Sequence, residues 1–192
     1  TRKTSGQTQG GGAWRHRFVD TGALRESALT LYAGQRDVTQ WQAIPAAAQA
    51  NPRHPGGVID FTRDYSGLDA RLLWRWENAS LTAGVAAERQ SEDRRGYENF
   101  VGSGADQRLG VTGALRRDES NSVRSSDLYL QGELELAPTV TGTLGLRSGR
   151  LKVETQDQYL SNGDDSGSLD YGYNTPVVAL QWMPTPALNL YI

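Results

Sequence analysis

Residues 127–136, DLYLQGELEL, constrain the fold more than any other part of the chain. Leu128, Leu130, Gly132, Leu134 and Leu136 alternate there with Tyr129, Gln131, Glu133 and Glu135. One face is leucine and the other is polar, a period of two that an extended strand presents and a helix does not. The same alternation returns in the segments that follow. Val140, Gly142, Leu144 and Leu146 oppose Thr141, Thr143, Gly145 and Arg147, then Val178, Leu180 and Trp182 share a face, and finally Leu188, Leu190 and Ile192. Ala137-Pro138-Thr139 and Pro184-Thr185-Pro186 are tight corners, whereas residues 158–174 form a long loop rich in Asp, Ser, Gly, Asn and Tyr. The rhythm is short turn, long loop, short turn.

The earlier part of the chain keeps this rhythm. Residues 1–12, TRKTSGQTQGGG, are expected to be a flexible segment, with residues 13–192 carrying the fold. Trp14, His16 and Phe18 alternate with Arg15 and Arg17, residues 20–23 turn, and Leu29, Leu31 and Ala33 open a strand running towards Trp41. Residues 43–56 hold three of the prolines and form a loop rather than a helix. In the next strand Ile59 and Phe61 lie on odd positions, but Leu68, Ala70, Leu72, Trp74 and Trp76 lie on even ones. A parity change needs a turn or bulge, expected at Ser66-Gly67. After a tight turn at residues 78–80, Leu81, Ala83, Val85 and Ala87 share a face. Residues 91–126, thick with charge and serine, are expected to form one long loop with a small projecting hairpin. The expected fold class is all-β, an antiparallel meander of about eight to ten strands from a transmembrane β-barrel.

Composition supports a membrane strand protein over a water-soluble one. Only 37% of the residues are hydrophobic, with 22 Gly and 3 Phe, and mean hydropathy is −0.58. A soluble sandwich concentrates apolar residues between two sheets. A membrane barrel needs only an apolar skin around a polar interior. No apolar run reaches the roughly 18 residues of a transmembrane helix, which for a barrel is no objection. Long loops at one end, short turns at the other, and Trp74, Trp76 and Trp182 close to the short turns suit an outer-membrane barrel with a periplasmic aromatic girdle. The chain contains no cysteine, and its formal charge of −2 offers no electrostatic reason to bind nucleic acid. It starts Thr1-Arg2-Lys3 and stops at Ile192 inside an alternating strand, so it reads as a piece of a longer protein.

Four phrases resemble the barrel of TonB-dependent outer-membrane receptors. They are VTQWQAIPAAAQANPRHPGGVIDFTRDYSGLDARLLWRW (residues 38–76), RRGYENFVG (94–102), DLYLQGELELAP (127–138) and NTPVVALQWMPTPALNLYI (174–192). The resemblance implies a location in the outer membrane of a Gram-negative cell and uptake of a scarce nutrient, with a ferric siderophore as the default cargo. It implies outer-membrane lipid and the inner-membrane TonB complex as partners, the latter reached through a plug domain of which these residues show no trace. Family barrels have about 22 strands around a plugged lumen, so the chain is expected to be a mid-barrel segment. Within the resembling phrases, Trp41, Arg94, Arg95 and Tyr97 lie at outer strand ends and are candidates for cargo contact.

The residues themselves suggest little catalysis. His16 and His54 lack metal-ligand spacing, no GxSxG elbow is present, and no cofactor is implied, so an enzyme is not expected. Residues 162–170, NGDDSGSLD, resemble a calcium loop only loosely, without its spacing or terminal Glu. Tyr159, Tyr171 and Tyr173 flank it and are candidates for stacking on a planar ligand. Arg71, Arg75 and Arg147, like Glu133 and Glu135, occupy polar faces where mutual ion pairing is the ordinary explanation. Two other readings stay open: a soluble β-sandwich that binds carbohydrate or another ligand, and a small eight-stranded outer-membrane barrel acting as an adhesin or structural protein.

Overall fold

The computed structural model describes residues 1–19 and 22–192. Ten strands follow in order: β1 (Arg2–Arg17), β2 (Leu24–Trp41), β3 (Val58–Arg75), β4 (Ala79–Tyr97), β5 (Phe100–Val101), β6 (Arg108–Leu109), β7 (Leu115–Ala137), β8 (Val140–Asp157), β9 (Gly167–Thr185) and β10 (Leu188–Tyr191). Eight of them form one antiparallel sheet in the order β1-β2-β3-β4-β7-β8-β9-β10, and β5-β6 is a separate hairpin. The meander is all-β, with short 3-10 turns at Ala46–Ala50 and Gly104–Asp106. The connections split as expected. Residues 76–78, 138–139 and 186–187 turn tightly at one end, while residues 42–57, 98–114 and 158–166 make long connections at the other. Of the expected turn at 20–23, Asp20 and Thr21 lie outside the described residues.

Four expectations are corrected, three of them because backbone pairing extends beyond the amphipathic signal. Residues 1–12, expected to be loop, belong largely to β1, which pairs in continuous register with β2 from Arg2↔Trp41 to Arg17↔Glu26. The expected loop over 91–126 shrinks to 98–114. β4 continues to Tyr97 and β7 begins at Leu115, with Ser91↔Ser122 and Arg94↔Glu119 paired between them, and the small hairpin is β5-β6. β3 has no bulge at Ser66-Gly67: its pairing with β2 and β4 runs unbroken there. The apparent parity change is a change of surroundings. Even positions of β3 carry leucine and tryptophan below Gly67 but Asp60, Thr62, Asp64 and Ser66 above it. Likewise the loop expected over 158–174 ends at residue 166, so Tyr171 and Tyr173 stand on β9.

Register aligns the apolar positions into one face, because directly paired residues point the same way. A row runs Leu29↔Ala70↔Val85↔Leu128, and further rows join Leu130↔Leu146 and Leu144↔Val178. These side chains have nothing packed on them: Leu128 is 63% exposed and Val178 76%. Among the described residues the only buried hydrophobics are Val38 and Val58. A single-layered sheet with its leucines outward cannot be held by a hydrophobic core in water. From Leu128 to Leu136 the apolar stripe covers about 26 Å at roughly 3.3 Å per residue, or somewhat less across a bilayer once the strands tilt, matching a lipid-facing band about 25 Å tall.

The opposite face holds the strands together through polar contacts. Four tyrosines cross a glycine on the neighbouring strand and bond to the strand beyond. Tyr32 on β2 lies over Gly67 and donates to Glu88 on β4 (3.1 Å), and Tyr129 on β7 lies over Gly84 and donates to Asp69 on β3 (3.2 Å). Tyr65 lies over Gly34 and donates to Gln9 (2.9 Å), and Tyr173 lies over Gly149 and donates to Asp127. A Cβ at any of these glycines would fall inside the tyrosine, so glycine is required by close approach rather than by backbone angle.

Candidate functional site

The functional end of a sheet with this asymmetry is the one carrying the long connections, since loops vary freely while strands hold them in place. Two of these connections are locked to each other. Gln49 is fully buried; its Nε2 donates to the Ile44 carbonyl (3.0 Å) and to Asn99 Oδ1 (2.7 Å), and its Oε1 accepts from the Asn99 amide (3.2 Å). The Asn99 Nδ2 donates to the carbonyls of Gln42 (2.8 Å) and Ile44 (2.9 Å). This clasp ties residues 42–57 to residues 98–114. Gly56, at φ +88°, and Gly57 let the first connection cross the end of β4, where the Gly57 amide donates to the Tyr97 carbonyl (2.8 Å). Arg116 adds a second tie, donating to the Asn51 carbonyl (2.6 Å) and pairing with Glu98 (3.1 Å).

On the polar face below, charges are paired. Arg63 binds Glu92, which is buried, and Arg94 reaches the other Glu92 oxygen at 4.0 Å. Asp127, also buried, accepts from Arg147 (2.7 Å) and from Tyr173. Arg71 approaches Glu26 at 3.9 Å, so both Arg71 and Arg147 are in ion pairs. On the outer face, Arg150 holds Asp170 in a bidentate pair (2.7 and 2.8 Å). In the loop at 158–166, Asp164 accepts from the Ser166 amide (2.9 Å) and Asp157 from the amides of Tyr159 and Asp165. Its acidic groups thus cap the loop's own backbone. Among the described residues, no group of three or more His, Cys, Asp or Glu is placed to hold a metal ion.

The seven residues proposed from sequence separate into three places. Arg94 and Tyr173 have their side chains on the polar face, with Tyr171 beside Tyr173 on the same face (ring centroids 6.5 Å apart). Trp41, Arg95 and Tyr97 are on the outer face. Trp41 and Tyr97 share a row through Val58, the Arg2 guanidinium covers the Trp41 ring at 3.8 Å, and Arg95 pairs with Asp118 (3.4 Å). Tyr159 sits in the third long connection, beside a cleft of about 20 Å³ lined by Arg53, Arg117, Glu119 and Asp157, room for about one water. The structure brings Arg94 and Tyr159 towards one another through the row Arg94↔Glu119↔Asp157, and leaves the outer-face three on the far side of the sheet. Sequence reasoning missed Gln49, Asn99 and the tyrosine–glycine pairs. Gln49 and Asn99 lie 50 residues apart and each tyrosine meets its glycine only across a strand pair, so no local pattern carries either signal.

The comparisons agree with this architecture. The family model described as "TonB dependent receptor-like, beta-barrel" matches residues 1–192. Among solved structures, the chain is similar to the copper transporter OprC (16% identity, TM-score 0.70, covering 96% of this chain and 29% of that one). It is also similar to the siderophore receptor PiuA from Acinetobacter baumannii (14%, 0.68, 96% and 31%) and to the ferric yersiniabactin uptake receptor FyuA from Yersinia pestis (12%, 0.66, 98% and 27%). The chain thus spans about 30% of the length of these structures. Their identities are low enough that they speak for the fold alone. With the family model matched along its whole length, the chain belongs to the TonB-dependent receptor-like β-barrels.

Proposed function

We propose that the chain is part of the wall of an outer-membrane receptor that takes up a scarce nutrient, and that the nutrient is a ferric siderophore. The observation that carries the reading is the single-layered sheet with an exposed leucine face on one side and a clamped polar face on the other. Lipid covers the first and a plugged lumen receives the second. The long connections then face the cell exterior, where the Gln49–Asn99 clasp presents a firm rim to cargo. In this arrangement Arg94, Tyr171, Tyr173 and Tyr159 line the inner side of the wall, and Trp41, Arg95 and Tyr97 brace the rim from outside. Uptake is energised through the TonB complex of the inner membrane, acting on a plug, and needs no enzymatic step from this segment.

A chelated cargo suits these residues better than a bare copper ion. Copper is held by Cys, Met and His, and the chain offers no cysteine, one methionine and two histidines. His54 Nδ1 accepts from the Gly56 amide (3.1 Å), and His16 stacks on Trp14 and meets Phe18 edge to face. Among the described residues, no sheet packs on the leucine face as the soluble-sandwich alternative would need. The test is whether the protein is β-rich by circular dichroism only in detergent, and whether ferric catecholates or hydroxamates quench tryptophan fluorescence of the full receptor. A detergent-free monomer would sink the membrane reading, and quenching by copper but not by ferric chelates would replace the cargo.

A further inference from the structure

Arg116 turns its nitrogens towards different long connections. Nη2 donates to the Asn51 carbonyl in the first (2.6 Å), and Nη1 donates to Glu98 at the start of the second (3.1 Å). The remaining nitrogen, Nε, is buried and has no protein partner among the described residues. A guanidinium cannot shed that donor, because it holds its N–H groups in a fixed fork and stays protonated. In the third connection Asn162 Oδ1 is likewise buried without a protein partner. Both residues line the same cleft of about 20 Å³, which lies between Arg53 and Pro55, the start of β7 and residues 157–165. A buried polar atom left unpaired is costly and rare. Here a lone donor and a lone acceptor border one small space.

Size and charge select the occupant. A buried water needs roughly 10–15 Å³ and about two to four polar partners. The cleft has that volume, with a donor in Arg116 Nε and an acceptor in Asn162 Oδ1. An ion suits it less well. Arg53, Arg116 and Arg117 on its walls are matched by Glu119, Asp157 and Asp165, so the formal charges cancel. We propose that one buried water accepts from Arg116 Nε and donates to Asn162 Oδ1, and that Arg116 thereby joins all three long connections. Arg116 is then a positioning residue. The Gln49–Asn99 clasp ties only the first two connections, and the water brings in the third. There Asp157 already accepts the Tyr159 amide at the base of the loop (2.9 Å), so Tyr159 is held between two fixed points. A bridging water is nearly as good as a direct hydrogen bond. The bridge does not depend on what the receptor carries, so failure of the siderophore reading would leave it untouched.

The experiment follows hydrogen–deuterium exchange of the full receptor in detergent. The reporting amides are Gly163 and Asp165, which donate to the Leu160 carbonyl (3.3 Å) and to Asp157 (3.1 Å). Asn162→Ala removes the acceptor and is expected to speed their exchange about tenfold, while residues 98–99 keep the wild-type rate. Asn162→Asp keeps an acceptor oxygen and is expected to stay within about threefold of wild type. Arg116→Lys keeps the charge but loses the fork, and is expected to speed the same two amides as much as Asn162→Ala does. Because both changes break one bridge, the double variant is expected to exchange no faster there than either single one. Multiplied effects, to about a hundredfold, would overturn the proposal, as would unchanged exchange in Asn162→Ala. A crystal structure of the wild-type receptor, grown with bromide in place of chloride and resolving ordered water, needs no variant. A water between Arg116 Nε and Asn162 Oδ1 is expected. An anomalous bromide peak in the cleft, or no density there, overturns the bridge.

Discussion

The turn-proximal and loop-proximal halves of the sheet share their strands and register but not their outer surfaces. Below the row of Arg89 and Arg124 the outer positions are Leu130, Leu144, Val85 and Leu72; above it the same alternating positions are Asp64, Ser91, Ser122 and Glu154. The backbone pairs equally well in both halves. Alternation therefore reports what touches each face, lipid below and water above, and strand formation itself needs only a neighbour with matching hydrogen bonds. The halves also differ in what secures them. Below, the polar face is bound strand to strand by Tyr129 over Gly84 and by Asp127 with Arg147 and Tyr173. Above, the loops are bound to each other through Gln49 and Asn99.

The sharpest break of this comparison places one charge in each half. Leu130→Arg puts a cation near the middle of the lipid-facing stripe and is expected to cost ~2–4 kcal/mol of folding stability. Gln156→Arg, on the same face in the upper half, is expected to stay within ~0.5 kcal/mol. Urea unfolding of the full receptor in lipid vesicles, followed by tryptophan fluorescence, measures both. Equal costs would mean that the upper half is also immersed, and the boundary at Arg89 would have to move.

A smaller effect is expected where the inner face is clamped. In Gly84→Val the new side chain meets the Tyr129 ring and the Ala70 carbonyl, so the tyrosine must leave Asp69, at a cost of ~1–3 kcal/mol. Gly132→Ala, on interior strand β7 where a Cβ meets nothing closer than 3.8 Å, should change stability by less than ~0.5 kcal/mol. Tyr129→Phe isolates the hydrogen bond, worth ~0.5–1.5 kcal/mol. The same unfolding titration separates the three. Tolerance of Gly84→Val would show that the ring relocates freely and is no clamp.

The sequence was most readable where one face touches lipid. Leu128 to Leu136 and Leu144 to Leu146 fix strand, face and register together, because a slip by one residue would turn every leucine inward. Pairing of Arg89–Arg95 with residues 118–124 was hidden, since both faces there meet water or charge and nothing alternates. Residues 1–12 were hidden for a related reason: a Gly-Gly-Gly run has no pattern, yet each backbone group finds β2. Ile59 and Phe61 misled in the opposite sense. They lie on the polar face near the rim, where Phe61 packs under the Arg63 guanidinium (5.1 Å), and a correct apolar signal was assigned to the wrong face. Of the candidate site, single residues such as Arg94 and Tyr159 were in reach, but their grouping depends on register.

The smallest expected change is confined to the loop half. Gln49→Ala removes the donor to Asn99 Oδ1 and the acceptor for its amide, both buried. An unmet buried polar group costs ~1–3 kcal/mol, but the strands beneath carry their own pairing. The loss is therefore expected as local opening, with amide exchange at residues 98–99 about tenfold faster or more and the global unfolding midpoint unchanged. Hydrogen–deuterium exchange of the full receptor resolves the two quantities. If the midpoint fell together with local protection, the clasp would belong to the same cooperative unit as the leucine-faced strands. The two halves would then be one structure with two surfaces. If only the loops open, the rim is a separable module resting on a wall that lipid and paired strands hold without it.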